Sequence, residues 1–268
     1  MDGERDGDLG GARQTPITLW LDGADDVATN MARDAALLEH AAAGGLEDTV
    51  LRLFTFAPPG LTLGRAQDPA RELDLERLDR AGVRWAHRPT GGRAIWHEDE
   101  WTFSLVTRLK PGGWADTAAA AYERTGRLLA AAFQRLGVPA VLAPGSARGP
   151  GAPRAREGAA PPCFASTARH ELLLEGRKLA GIAQRVSRGA LLQQGSLLLR
   201  HTHERLADFV RVADREALRR ELRAAAAVAG PWLGGDHALS RLHGALAALL
   251  PGARAGTPHG VESRSADQ

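Results

Sequence analysis

Cys163 is the single cysteine in 268 residues. One cysteine cannot close an internal disulfide, so its sulfur is either a small buried hydrophobe or a free thiol. Two local features favour chemistry. Cys163 follows a Pro- and Gly-rich polar stretch rather than an apolar run, and Lys178 lies one predicted strand and turn further on. A thiol ionises near pH ~8.5, and a neighbouring cation lowers that value. A thiolate exchanges acyl groups with thioesters at nearly balanced cost, so this pair suits acyl transfer. Lys178 stands in Gly176-Arg177-Lys178-Leu179-Ala180-Gly181, and the small residues Ala180, Gly181 and Ala183 leave room for a ligand. The plain alternative is a solvated charge on a hairpin.

A second constellation is Arg88-Pro89-Thr90-Gly91-Gly92-Arg93-Ala94-Ile95-Trp96-His97. Adjacent glycines after a strand let backbone N–H groups approach a ligand closely. Arg88 and Arg93 can hold a phosphate or a carboxylate. The plain alternative is a tight hairpin with surface arginines and a packed His97. His201 and His203 lie near Glu204 but lack a Cys/His/Asp set at ligand spacing, so they read as surface residues and no metal site is expected. No P-loop, G-x-G-x-x-G or G-x-S-x-G motif is present.

The elements that must position these residues alternate between strand and helix patterns, the mark of an α/β or α+β domain. Asn30 is a favourable N-cap and opens a helix that stops at Gly44-Gly45. Residues 50–56 and 61–63 read as strands, 72–80 as a helix, and 83–88 and 101–106 as strands. Residues 117–136 form an Ala-rich helix closed by Gly137 and Pro139. The Pro/Gly/Ala/Arg stretch 144–162 reads as a long surface loop. Residues 171–175 and 178–186 read as strands about a Gly176-Arg177 turn, 191–199 as another strand, and the chain beyond 203 as helical. Residues 1–14 and 252–268 carry no periodic apolar face and are expected to be disordered tails around one domain at 15–251.

Composition narrows the function class. Lys plus Arg total 34 and Asp plus Glu 32, a net charge of +2. That balance gives no support to nucleic-acid or membrane binding. The start MDGERDGDLGG lacks the basic and apolar segments of a signal peptide, and no run of 18 apolar residues offers a membrane span. A cytoplasmic protein is expected, in keeping with its lone thiol.

Taken in order, these segments resemble the superfamily of lipoate–protein ligases, octanoyltransferases and biotin–protein ligases. They most resemble the octanoyl-carrier-protein:protein N-octanoyltransferases of the LipM type. The resemblance rests on Asn30-Met31-Ala32-Arg33-Asp34, Leu61-Thr62-Leu63-Gly64-Arg65-Ala66-Gln67 and the Arg88–His97 segment with Glu100 and Thr102-Phe103-Ser104. Pro162-Cys163-Phe164, Glu175-Gly176-Arg177-Lys178-Leu179-Ala180-Gly181-Ile182-Ala183-Gln184 and Gln194-Gly195-Ser196-Leu197 complete it. It spans about residues 17–210. Ala35 departs from the pattern, standing where an acidic residue is common.

The resemblance implies an α/β class II synthetase-like, biotinyl/lipoyl-ligase-like core, with a mixed or antiparallel sheet packed by helices. It implies that Cys163 carries an acyl thioester and that Lys178 lowers its pKa and polarises the acyl carbonyl. Arg88, Thr90, Gly91, Gly92, Arg93, His97, Gly181 and Ala183 would bind substrate, with Ile95, Trp96 and Leu179 lining an acyl tunnel. The donor would be octanoyl-acyl carrier protein and the acceptor a lysine of a lipoyl domain or lipoyl carrier protein, without cofactor. Either the Cys163 thiolate or His97 would take the amine proton. An ATP- and Mg-dependent lipoate–protein ligase is the main rival; such ligases commonly carry a third glycine where this chain has Arg93, and they need no cysteine. The same motifs would also suit an amidotransferase between carrier domains, or a binding module without turnover.

Overall fold

The computed structural model describes residues 16–143 and 171–256. In chain order the elements are β1 (Ile17–Asp25), α1 (Val27–Ala42), β2 (Thr49–Phe56), β3 (Gly60–Leu63), α2 (Pro69–Glu72), α3 (Leu75–Arg80), β4 (Trp85–His87), β5 (Ile95–His97) and β6 (Glu100–Arg108). Then follow α4 (Ala118–Arg135), β7 (Val141–Leu142), β8 (Leu172–Leu174), β9 (Arg177–Lys178), β10 (Ala180–Ser187) and β11 (Ala190–Leu198). The last part holds a 3-10 run at His201–Asp208, α5 (Arg215–Ala225), a second 3-10 run at Gly230–Leu233, α6 (Leu239–Leu249) and β12 (Arg254–Gly256).

Six strands form the main sheet in the order β10-β11-β6-β2-β1-β12. It is mixed: β12, β1 and β2 run parallel, while β2, β6, β11 and β10 alternate in direction. Period-2 alternation separates its two faces. Leu51, Leu53, Trp101, Phe103 and Leu105 join Leu129 and Phe133 of α4 and Leu242 and Leu246 of α6 in the largest apolar core. The opposite face carries Arg52, Thr102, Ser104, Gln194 and Ser196, all buried, beneath α1. One face is therefore oily and structural; the other combines these polar residues, which border the site, with a smaller apolar cluster of Val50, Val106 and Leu192 under α1.

Of the two three-stranded sheets, the first, β4-β3-β5, flanks this face, while β7-β8-β9 joins the main core through Leu172 and Leu174 beside α4. The first packs a separate apolar cluster, including Leu61, Leu63, Trp96, Phe209 and Leu222, against the His201–Asp208 run and α5.

Several elements differ from the sequence expectation. α1 starts earlier than Asn30, because Asp26 is the N-cap and its carboxylate accepts from the Thr29 N–H at 2.8 Å. Asn30 lies inside the helix, where its amide bonds the Asp25 and Thr55 carbonyls. The 72–80 helix is two short helices broken at Leu73. The β8–β9 turn is Glu175-Gly176, both at positive φ, rather than Gly176-Arg177. That one-residue difference decides which side chain faces inward: Arg177 is exposed and Lys178 buried. The returning strand is also two pieces, since the chain leaves the small sheet at Leu179 and enters the main sheet at Ala180. His203 is buried, with Nε2 against the Leu222 carbonyl at 3.0 Å, instead of lying on the surface; burial pushes its pKa down. β12 pairs with β1 inside the stretch expected to be a tail from 252. The long loop 144–162 and Cys163 lie outside the described residues.

Candidate active site

A cleft that encloses about 600 Å³ when the solvent at its mouth is counted lies between the site face of the main sheet, the N-terminal half of α1 and the β4-β3-β5 sheet. Met31, Phe56, Ile95 and Ile182 supply apolar walls, and Thr62, His97, Thr102, Gln194 and Ser196 supply polar ones. Arg88, Gly92, Lys178, Gly181, Ala183 and Gly195 complete the lining. Strand alternation accounts for one expectation that the structure changes. Ile95 and His97 project from one face of β5 into the pocket, whereas Trp96 projects from the other and stacks on Phe209 at 5.2 Å. Leu179 likewise belongs to the main core.

The Gly91-Gly92 loop is held from behind through its carbonyl oxygens. The Arg88 guanidinium donates to Gly91 O at 2.7 and 3.0 Å and to Arg93 O at 2.7 Å. The Arg65 N–H bonds Thr90 O at 2.9 Å, and Arg185 reaches Pro89 O at 3.4 Å. Arg88 thus lines the pocket while spending most of its donors on the loop backbone. The Thr90 hydroxyl is fully buried and donates to Gln194 Oε1 at 2.7 Å, so Thr90 ties the loop down rather than facing the pocket. Arg93 reaches Glu72 at 3.3 Å and is not part of the lining; nor is the exposed Gly91.

Gly64 lets this loop close. A Cβ at position 64 would stand 2.0 Å from the Gly92 carbonyl oxygen, a backbone atom that cannot swing aside. Gly64→Ala is expected to displace the loop and to cost about 1–3 kcal/mol in a urea unfolding curve. Unchanged unfolding and unchanged loop amide shifts in NMR would contradict this.

His97 is fixed at both ring nitrogens. Nδ1 meets Glu100 Oε1 at 2.6 Å and Nε2 meets Thr62 Oγ1 at 2.7 Å, with the ring stacked on Phe56 at 4.1 Å. Glu100 Oε1 also accepts from Thr102 and Ser196 at 2.8 and 3.0 Å. With Glu100 and Thr62 occupying both ring nitrogens, a proton reaches His97 only through the Thr62 hydroxyl, which would reverse its hydrogen bond, so the ring meets the pocket as a wall.

Lys178 brings an ammonium group to the pocket. Its Nζ lies 2.6 Å from Glu171 Oε1, with side chains 9% and 4% exposed, and its own carbonyl is anchored by the Ala227 N–H. Among the described residues Glu171 Oε2 is buried without a hydrogen-bond partner. Burial and the nearby Glu171 charge both raise the Tyr122 pKa, which keeps that phenol protonated. Glu171 carries no mark in the sequence beyond that of an ordinary strand residue. The buried polar residues Thr62, Thr102, Gln194 and Ser196 were also missed as site residues; their signal was a polar side chain at every second position of otherwise apolar strands.

Residues 26–227 match the family described as the lipoyl protein ligase A/B catalytic domain. The chain belongs to this family. Octanoyltransferase LipM of Moorella thermoacetica is 38% identical over 192 residues, 69% of this chain and 66% of that protein. Octanoyltransferase LipM of Staphylococcus aureus is 33% identical over 180 residues, 66% of this chain and 63% of that protein. The match thus spans just under two thirds of the length of these relatives. Among solved structures, the bipartite lipoate protein ligase of Thermoplasma acidophilum superposes with a TM-score of 0.64 at 19% identity, covering 87% of this chain and 81% of that one. A lipoate-protein ligase A bound with ATP gives 0.61 at 16% identity, covering 91% and 87%. These likenesses establish the α/β lipoate-ligase fold that the sequence motifs implied. Within this lipoyl ligase family domain, the pocket joins a largely apolar slot, a glycine loop and one buried ammonium, a set that suits an acyl chain ending in a carbonyl. Among the described residues no group of three His, Cys, Asp or Glu side chains is placed to hold a metal, and no helix is long and apolar enough to cross a membrane.

Proposed function

We propose that the protein is an octanoyltransferase that moves an octanoyl group from acyl carrier protein to a lysine of a lipoyl domain, through a thioester on Cys163. The observation that carries this reading is the ion-paired Lys178 ammonium within a largely apolar pocket beside the Gly91-Gly92 loop. The names of the relatives at 33% and 38% identity support it. The Cys163 thiolate attacks the donor thioester carbonyl, the C–S bond to the carrier breaks, the phosphopantetheine leaves as a thiolate that takes a proton from solvent, and an acyl-enzyme forms. The neutral ε-amine of the acceptor lysine then attacks that thioester; the amide bond forms, the C–S bond breaks, and the amine proton passes to the departing sulfur. Both His97 nitrogens are occupied, which favours sulfur over imidazole as the acceptor. Lys178 and the Gly92 N–H are suited to stabilise the carbonyl oxygen as it gains charge. The donor arrives already activated, so this route uses neither ATP nor Mg. A reducing, cytoplasmic setting would keep the thiol free.

Intact-mass measurement after mixing with octanoyl-carrier protein, without ATP, tests the proposal. We expect a gain of one octanoyl group that Cys163→Ser abolishes. Carrier modification that needs ATP and survives Cys163→Ser would replace the transferase with a ligase.

A further inference from the structure

Gln194 stands where three walls of the pocket meet. It is 6% exposed, lies on β11 and lines the pocket together with Met31 and Gly92. Its Oε1 accepts from the Thr90 hydroxyl at 2.7 Å, and its Nε2 donates to Asp34 Oδ2 at 2.6 Å and approaches Met31 Sδ at 3.4 Å. The amide has one workable orientation. A carboxylate only accepts, so the NH₂ must face Asp34, which leaves the carbonyl oxygen for Thr90. Asp34 is itself immobile: it is fully buried, and Oδ1 accepts from Arg52 at 2.8 Å and Ser104 at 2.6 Å.

We infer that Gln194 is a positioning residue which, through Thr90, sets the Gly91-Gly92 loop against the pocket. The chain of bonds runs Arg52–Asp34–Gln194–Thr90. It carries the rigidity of the buried ion pair into a loop whose glycines would otherwise sample many conformations. Arg185 of β10 also reaches the Pro89 carbonyl, at 3.4 Å, but among the described residues Thr90 is the loop residue whose own side chain bonds the main sheet. A transfer site needs this link, because small displacements of groups that orient a carbonyl are costly in rate.

The test compares Thr90→Val, which keeps shape and removes the hydroxyl, with Thr90→Ser, which keeps the hydroxyl, and with Gln194→Met. Amide hydrogen exchange of the 88–94 segment is read by mass spectrometry, alongside octanoyl transfer kinetics. Losing one buried hydrogen bond should speed exchange of that segment about tenfold in Thr90→Val and Gln194→Met, with exchange in α4 and β6 unchanged. Thr90→Ser should exchange as the parent does. kcat should fall about tenfold in Thr90→Val with little change in KM, and Thr90→Ser should recover it. Parent-like exchange of the segment in Thr90→Val, or acceleration spread evenly over the chain, overturns the inference. The kinetic arm rests on the transferase reading but the exchange arm does not: segment-specific exchange in a parent that transfers nothing refutes the activity and keeps the positioning role.

Discussion

Lys178→Met is expected to lower octanoyl transfer by about 10²–10³-fold, the usual loss when one preorganised donor to a developing oxyanion is removed. The same substitution should lower stability by about 3–5 kcal/mol, because it leaves the Glu171 carboxylate buried without its cation. The two losses must be separated, since an unstable protein also transfers poorly. The double variant Lys178→Met/Glu171→Gln does so. It removes both charges at once, and a buried ion pair exchanged for neutral groups is often near neutral in free energy. Urea unfolding of the double variant should therefore return towards the parent, while single-turnover transfer stays at the level of Lys178→Met. Recovery of transfer together with stability would make Lys178 a purely structural cation and remove the centre of the proposed mechanism.

Lys178 also illustrates what was readable from sequence. Its surroundings of small residues marked it as unusual, and the order of motifs pointed to the right family. The length of the β8–β9 turn, however, decides whether residue 177 or 178 faces inward, and a strand-turn-strand pattern leaves that register open by one residue. The Glu171 partner was hidden for a related reason: a charged residue at the end of a Leu-rich strand reads as a solvated end until the fold closes over it. β1 was legible in principle, since Ile17 and Leu19 alternate with Thr18, yet its key feature was not. Asp22 is the extra residue of a bulge between β1 and β2, and the bulge allows its carboxylate to meet Arg52. β12, three residues long in an Arg- and Gly-containing stretch, carries no periodic signal; its pairing with β1 supplies its order. Local pattern reveals elements and small-residue loops. It does not reveal contacts made across distant segments, such as Thr90 with Gln194 or Asn30 with Arg52.

Arg52→Met is expected to lower stability by about 3–5 kcal/mol by urea unfolding at neutral pH. The Arg52 side chain is fully buried, with Nε 2.6 Å from Asp22 and Nη1 2.8 Å from Asp34. Its remaining amino group bonds Asn30 Oδ1, and its guanidinium lies 3.9 Å over the Phe54 ring. Removing it takes the nearest cation from two carboxylates under α1, leaving Asp22 with Arg33 at 3.4 Å and Asp34 with the neutral donors Ser104 and Gln194. The sign of the pH dependence follows. Burial already raises the Asp34 pKa above 3.8, and Arg52 is the main influence opposing that rise. Without Arg52 the folded-state value climbs further above the unfolded one. The folded variant then binds a proton more tightly than its unfolded chain, so its stability falls as pH rises through the range above 3.8. The deficit relative to the parent should be widest near pH ~7 and narrow as the solution is acidified towards pH ~5. Arg188→Met provides the contrast. Its pair with Glu39 is 65% and 56% exposed, and its removal should leave the unfolding midpoint where it is. A deficit for Arg52→Met that is constant with pH, or no larger than that for Arg188→Met, would mean that Asp34 and Asp22 find other partners, and that the ion pair does not anchor the chain of bonds leading to the glycine loop.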